Sequence, residues 1–158
     1  TDESLPSHPI ASLQSTILMD STPTTIRCQR IVFIRHGVAK HNVVDRATGK
    51  PPDPNDPTLL DSTLIPQGKH QAIQCGVKLR TWWENEYPQT PVDLVITSPL
   101  TRCLQTANLV FLEGDFYSEN SKHPRVFCKE NVREACGRHY TDRRRQKSVL
   151  MKHWPGVE

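Results

Sequence analysis

At 158 residues with a formal net charge of +3, the chain has the length of one domain and too little positive charge to indicate nucleic-acid binding by itself. No apolar run approaches the roughly 20 residues that a membrane-spanning helix needs. A charged fraction of 23% and a hydrophobic fraction of 35% are typical of a globular chain rather than a disordered one. We therefore expect neither a nucleic-acid partner nor a membrane.

The two ends of the chain and its cysteines indicate organisation and compartment. Residues 1–25 are rich in Ser, Thr and Pro, which predicts a flexible N-terminal tail followed by a folded domain over residues 26–158. The cysteines are odd in number and widely spaced, which favours reduced thiols in a cytoplasmic setting over a disulfide framework. They are Cys28, Cys75, Cys103, Cys128 and Cys136.

The first half of the predicted domain reads as a strand, a helix and a second strand. The runs CQRIVFI (28–34) and DLVITS (93–98) are rich in β-branched residues and predict buried strands. The segment between them repeats apolar residues at helical spacing, which predicts a crossover helix. Its apolar face consists of Ala72, Cys75, Gly76, Leu79 and either Trp82 or Trp83.

A second helix and a third strand complete the pattern. Ser98 followed by Pro99 fits a helix N-cap with proline in the first turn, and the apolar spacing continues through Leu100, Leu104, Ala107 and Phe111. RVFCK (125–129) predicts the third strand. The alternation of strands and helices predicts an α/β fold with a mostly parallel sheet.

Charged side chains follow the first two strands at the point where each strand ends. Arg35 and His36 leave the first strand, and Ser98 and Arg102 leave the second. Ligands of parallel α/β sheets bind outside the carboxyl ends of the strands. Guanidinium groups match phosphate oxygens, and a helix N-terminus adds unpaired N–H donors. The arrangement therefore predicts an anion-binding crevice.

An imidazole in such a crevice is suited to phosphoryl transfer. Neutral His36 can attack phosphorus while arginines stabilise the charge of the transition state. Gly37 would allow close approach of the backbone, and Asn42 could donate a further hydrogen bond. The leaving group needs a proton, for which Glu134 is the first candidate and Glu130 the second. The loops 43–65 and 112–124 are expected to line the mouth of the site.

Four motifs in order give these residues a family context: IRHG with Asn42, LIPQGKHQA, SPLTRCLQTA and NVREACGRHYTDRRR. Together, over roughly residues 28–157, they resemble the histidine phosphatase superfamily, also called the phosphoglycerate mutase-like family. The resemblance implies a three-layer α/β/α sandwich with a central, mostly parallel sheet. It implies that His36 is the phosphorylated nucleophile and Glu134 the proton donor, with phosphate ligands at Arg35, Gly37, Asn42 and Arg102. No metal or organic cofactor is expected, because the arginines supply the positive charge that a metal would otherwise provide.

The chain departs from this family pattern in two places. Leu64-Ile65 stands where the family usually has Leu-Thr, which removes a helix-capping hydroxyl. The family also supplies a second histidine from a later strand, and neither His139 nor His153 occupies an equivalent position. We therefore expect the chain to be a fragment that lacks its C-terminal part.

The favoured function is hydrolysis of a phosphomonoester, on a phosphorylated small molecule or phosphoprotein, through a phosphohistidine intermediate. A phosphoglycerate mutase-type phosphomutase is the nearest alternative. A non-catalytic phosphate-binding member of the family is a second, and a basic module that binds anionic partners through DRRR (142–145) is a third.

Some residues have more ordinary interpretations. His41 and His70 are expected at the surface. Cys128, Cys136 and His139 lack the second close pair of ligands that a zinc site would need.

Overall fold

The computed structural model describes residues 29–88, 90–113, 116, 124–134 and 139–158. The chain divides into two units, Thr1–Phe33 and Ile34–Glu158. The first unit is described only from residue 29 onward, and the predicted tail lies outside the described residues. The predicted boundary between residues 25 and 26 therefore stays a prediction, and the architecture that follows is that of the second unit.

The second unit contains three α-helices and two strands within its described residues. They are α1 (Pro66–Glu86), β1 (Leu94–Thr97), α2 (Thr101–Ala107), β2 (Arg125–Cys128) and α3 (Lys147–His153). The helix α2 continues directly into a π-helical turn, Asn108–Leu112. Short 3-10 turns lie at Lys40–Asn42, Pro57–Leu59, Glu130–Val132 and Tyr140–Asp142. No helix in these described stretches is both long and apolar enough to cross a bilayer.

The two strands pair in parallel, with Leu94 opposite Arg125 and Thr97 opposite Cys128. Val157 adds an isolated parallel bridge to Val126 on the other side of β2. Because α2 lies in the connection between two parallel strands, β1, α2 and β2 form a βαβ unit. This confirms the α/β class and the strands predicted within 93–98 and 125–129, whereas the full three-layer sandwich stays a prediction.

The strand predicted over residues 28–34 is wrong for its described part. No strand is present at residues 29–34, and Ile31 and Phe33 are 68% and 77% exposed. Strand preference measures how well a side chain packs on a half-buried sheet, so an apolar run that is not buried gains little from strand pairing. Cys28 lies outside the described residues.

The core forms where α1 and the π-helical turn pack together beside the sheet. Its buried members are Ala72, Val95, Val110, Phe111, Phe116 and Val126. From α1, Cys75, Leu79 and Trp83 pack against this cluster, so the predicted apolar face of the helix is confirmed. Of the two tryptophans, Trp83 packs against the core, whereas Trp82 is 38% exposed. The apolar spacing from Leu100 to Phe111 is also confirmed, because all four of its residues are buried.

The start of α2 differs from the prediction. The helix begins at Thr101, after Pro99 and Leu100, and Leu100 supplies no side-chain cap. The cap comes instead from Asp61, whose carboxylate accepts hydrogen bonds from the Thr101 backbone N–H at 2.7 Å and from its hydroxyl at 2.6 Å. A buried carboxylate with two donors is a better acceptor than the Ser98 hydroxyl, which lies 3.4 Å from the Leu100 N–H.

Candidate active site

The loop that carries His36 is fixed by both helices. The Gly37 N–H donates to the hydroxyl of Thr106 on α2 at 3.2 Å. The Val38 N–H donates to the Gln71 side chain on α1 at 3.0 Å, and the Val38 carbonyl accepts from Ile65 N–H at 3.1 Å. These bonds hold the loop on both sides, so the direction of the His36 side chain is set by the fold.

A hydrogen bond to the backbone fixes the tautomer of His36. Its Nδ1 lies 2.8 Å from the carbonyl oxygen of Gly37. A carbonyl oxygen only accepts, so Nδ1 must carry the proton. In the neutral ring the lone pair is then on Nε2, which is the atom left to act as a nucleophile.

The surroundings of His36 favour this neutral ring. Burial lowers its pKa below the usual 6.5, and the positive charges of Arg102 and Arg35 lower it further. The bond to Gly37 and the carboxylate of Glu134 act in the opposite direction but do not outweigh these effects. The structure thus brings the predicted arginines, acid and histidine within electrostatic range of one another.

Arg102 is the most rigidly held of the predicted phosphate ligands. Its side chain is 3% exposed. One terminal nitrogen donates to the Thr141 carbonyl at 2.7 Å, and the other donates to the Asp142 carboxylate at 3.0 Å. The Nε atom is buried and has no partner. The two bonds fix the guanidinium plane, and Nε–H is a buried donor that they leave without a partner.

Asn42 and Arg35 are exposed. The side-chain oxygen of Asn42 accepts from the Ala39 N–H at 3.1 Å and closes the 3-10 turn. This bond orients the amide and leaves its NH₂ group as the part that can donate to an anion. The exposed guanidinium of Arg35 is free to approach a ligand from solvent.

The two candidate acids differ in their contacts. Glu134 is exposed, and its charge acts on His36. Glu130 forms ion pairs with Arg133 at 3.2 Å and with Arg144. Both carboxylate oxygens of Glu130 are therefore occupied by arginine side chains, and neither is directed at the leaving group. The geometry therefore favours Glu134 over Glu130.

His41 lies in a short turn near the surface, as expected, but its ring is half-buried beside the candidate nucleophile. The side chain is only partly exposed, and its ring centroid lies 6.0 Å from that of His36. The apolar pattern gave no signal for it, because a 3-10 turn of three residues has no periodicity to read.

Two aspartates behind the site were also missed. Asp61 is fully buried and joins the start of α2 to the Arg145 backbone N–H at 3.2 Å, and Asp142 pairs with Arg102. Each makes contacts with residues far away in sequence, which local patterns do not encode. A buried aspartate within the apolar run LLDSTLI was the available signal for Asp61.

Two further histidines and three cysteines of the described residues have ordinary environments. His139 is exposed, and Nδ1 of His153 lies 2.8 Å from the Val149 carbonyl in α3. Cys75, Cys103 and Cys128 are unpaired, and burial raises the pKa of each thiol. Across the described part of the chain, no group of three or more His, Cys, Asp or Glu is placed to hold a metal ion. Cys136 lies outside that part.

Comparison with known proteins identifies relatives of this arrangement. The sequence profile of the histidine phosphatase superfamily (branch 1) matches residues 31–125, more than half of the chain. The chain is 36% identical over 85 residues to 2,3-bisphosphoglycerate-dependent phosphoglycerate mutases of Neisseria meningitidis serogroup B and Neisseria gonorrhoeae. It is 33% identical over 86 residues to the enzyme of that name from Actinobacillus succinogenes. Each match covers 54% of this chain and 31% of the relative, so the chain spans about a third of the length of these relatives.

Proposed function

Since the chain belongs to the histidine phosphatase superfamily, we propose that it is a metal-independent phosphomonoesterase that works through a phosphohistidine on His36. The observation that carries the proposal is the bond between Nδ1 of His36 and the Gly37 carbonyl. It places the lone pair of the neutral ring on Nε2, and the lowered pKa keeps that lone pair available near neutral pH.

The first step forms the phosphoenzyme. The Nε2 lone pair attacks phosphorus, the N–P bond forms, and the P–O bond to the alcohol breaks. Glu134 in its protonated form gives its proton to the leaving oxygen. The positive charges of Arg35 and Arg102 stabilise the phosphoryl oxygens during transfer, and the NH₂ group of Asn42 donates to one of them.

The second step returns the enzyme to its starting state. A water molecule attacks phosphorus, the N–P bond breaks, and the electron pair returns to Nε2 of His36. The proton lost by the water passes to the Glu134 carboxylate, which restores the acid. The products are the alcohol and inorganic phosphate, in equal amounts.

A phosphomutase is the second candidate, favoured by the names of the relatives in Neisseria and Actinobacillus. In that reaction a hydroxyl of phosphoglycerate replaces water in the second step, so no inorganic phosphate is released. The ratio of phosphate released to phosphate retained in organic products distinguishes the two reactions.

The test is metal-free hydrolysis of an aryl phosphate, with chelator present, by the chain and by its His36→Ala variant. His70→Ala is the matched control, because His70 is an exposed histidine on α1. The proposal predicts turnover in the wild type and the control, with none in His36→Ala. Turnover that survives in His36→Ala contradicts the mechanism, and a folded wild type that binds phosphate without turnover identifies a non-catalytic member of the family.

A further inference from the structure

Two buried side-chain nitrogens in the described residues have no hydrogen-bond partner: Nε of Arg102 and Nδ1 of His41. Buried polar atoms in native proteins are nearly always paired. Both side chains belong to the surroundings of His36, since the His41 ring lies beside it and the charge of Arg102 acts on both rings. Two such atoms on side chains that both act on His36 indicate a site that receives a polar ligand.

The backbone that carries His41 is fixed. The turn Lys40–Asn42 is closed by the bond from Asn42 N–H to the Ala39 carbonyl at 2.8 Å. Ala39 is fully buried and forms an antiparallel bridge with Leu64. The Lys40 N–H donates to the Thr63 carbonyl at 3.0 Å. His41 is therefore positioned by the fold, as a ligand-binding residue needs to be.

The charge state of His41 limits what it can bind. Burial and the positive charge of Arg102 lower its pKa to about 4, with smaller effects from His36 and Arg35 in the same direction and from Asp142 in the opposite one. The ring is neutral at pH 7, and a neutral ring has one N–H donor. Arg102 Nε–H can only donate, so a ligand shared by both side chains must supply acceptor oxygens, and the His41 tautomer with its proton on Nδ1 can donate to the same ligand.

From this juxtaposition we infer that His41 is a further phosphate-binding residue, whose Nδ1–H donates, together with Arg102 Nε–H, to oxygens of the phosphoryl group at His36. The inference rests on the proposed function, because it places the phosphoryl group at that histidine. A neutral donor adds a hydrogen bond without adding positive charge, so it leaves the His36 ring neutral for attack.

The test compares the affinity of the full chain for inorganic phosphate, by calorimetric titration, across three substitutions of His41. Asparagine places an amide nitrogen where Nδ1 of histidine lies, glutamine places one near Nε2, and phenylalanine keeps the ring without a donor. We expect His41→Asn to bind close to the wild-type value. His41→Phe and His41→Gln should each bind about tenfold or more weakly, since a hydrogen bond to a charged group is lost. His70→Phe is the matched control and should bind like the wild type.

A second measurement uses the unsubstituted chain and so does not depend on whether a variant folds. The ¹⁵N chemical shift of His41 Nδ1 should move when phosphate is added, because a new hydrogen bond forms at that atom. Wild-type affinity in a folded His41→Phe variant overturns the inference. So does a His41 nitrogen shift that phosphate leaves unchanged.

The outcomes separate this inference from the proposed function. Phosphate binding that depends on His41, in a chain that forms no phosphoenzyme, supports the site and contradicts the catalytic proposal. If a phosphoenzyme forms on His36 but the His41 variants bind phosphate as tightly as the wild type, the catalytic proposal is supported and this inference is contradicted. A wild-type chain that does not bind phosphate contradicts both.

Discussion

The backbone of Gly37, next to the candidate nucleophile, lies directly against the backbone of Gly68 in the first turn of α1. A Cβ added at Gly37 would overlap the Gly68 carbonyl group, and a Cβ added at Gly68 would overlap the carbonyl of Val38. The loop and the helix can approach this closely only because both residues lack a side chain. The glycine after His36 thus serves packing, in addition to the close phosphate approach expected from sequence.

Gly68→Ala should destabilise the protein and displace the loop that carries His36. Gly76→Ala is the matched control, because its Cβ would lie 3.2 Å from the Val110 carbonyl oxygen, a distance that small shifts accommodate. Both variants gain about 1 kcal/mol of helix propensity, so their difference isolates the backbone overlap. We expect Gly68→Ala to be less stable than Gly76→Ala by about 1–3 kcal/mol in urea unfolding. Equal stability of the two variants would show that the loop carrying His36 moves away from the added methyl group at little energetic cost.

Asp142→Ala should be strongly destabilising, because it leaves the Arg102 guanidinium buried without its charge partner. The expected loss is about 3 kcal/mol or more. Glu84→Ala provides the comparison: Glu84 pairs with Arg80 at 2.8 Å, but the two side chains are 61% and 36% exposed. Exposed pairs contribute at most about 1 kcal/mol. Chemical denaturation of both variants tests the contrast, and a loss for Asp142→Ala no larger than for Glu84→Ala would contradict it.

Asp61→Ala should weaken the start of α2. The substitution removes the acceptor for both Thr101 donors, and it places alanine at a backbone φ of 47° that favours glycine, asparagine or aspartate. We expect a loss of about 3 kcal/mol. Asp61→Asn should lose less, because it retains one acceptor oxygen and tolerates the positive φ.

The control for Asp61 is Asp56→Ala. Asp56 caps the exposed turn Pro57–Leu59 through the Thr58 N–H at 2.8 Å, and its loss should be about 1 kcal/mol at most. Thermal unfolding ranks the stabilities of Asp61→Ala, Asp61→Asn and Asp56→Ala, and we expect Asp61→Ala to be the least stable. A stable Asp61→Ala variant would mean that α2 needs no cap from this aspartate.

The pKa of His36 should lie below the value of about 6.5 that histidine has in an unfolded chain. A lowered pKa means that the neutral, nucleophilic ring persists as the pH falls past 6.5. The direct measurement is a ¹³C NMR titration of the His36 ring, with the urea-unfolded chain as reference. A folded-state pKa at or above the unfolded one would show that Glu134 and the Gly37 bond outweigh burial and the two arginines.

The lowered pKa values of His36 and His41 also make the folding stability depend on pH. Because the pKa values of His36 and His41 are lowered on folding, the unfolded state binds more protons below pH 6.5. Their contribution to stability is therefore fully present above about pH 6.5 and is lost as the pH falls through the folded-state values, about 4 for His41. His41→Asn should unfold with a weaker dependence on pH between these limits. An unchanged dependence would contradict the burial of that ring.

The elements that sequence predicted well are those whose pattern repeats within a single segment. The helix α1 shows its core face at helical spacing, and β1 and β2 are short runs of mostly apolar residues that pair with each other. Leu100, Leu104, Ala107 and Phe111 were predicted to share a face, and all are buried. In each case the hydrophobic effect acts on a periodic surface, and the period is visible in the sequence.

The features that sequence missed depend on contacts between distant segments. The strand predicted over residues 28–34 had the right composition, but composition does not reveal whether a run is buried. The cap of α2 comes from Asp61, and the position of Arg102 is set by Thr141 and Asp142. Only the folded chain shows that the turn of His41 lies beside His36.

The central claim is that His36 carries the phosphoryl group, and the most direct measurement is the detection of that group on the protein. The chain and its His36→Ala variant are incubated with a labelled phosphomonoester, quenched in alkali, and the modified peptide is located by mass spectrometry. If His36 is the nucleophile, the peptide containing His36 carries an acid-labile, alkali-stable phosphoryl adduct that is absent from the variant. An adduct that persists in His36→Ala, or that maps to another residue, would contradict it.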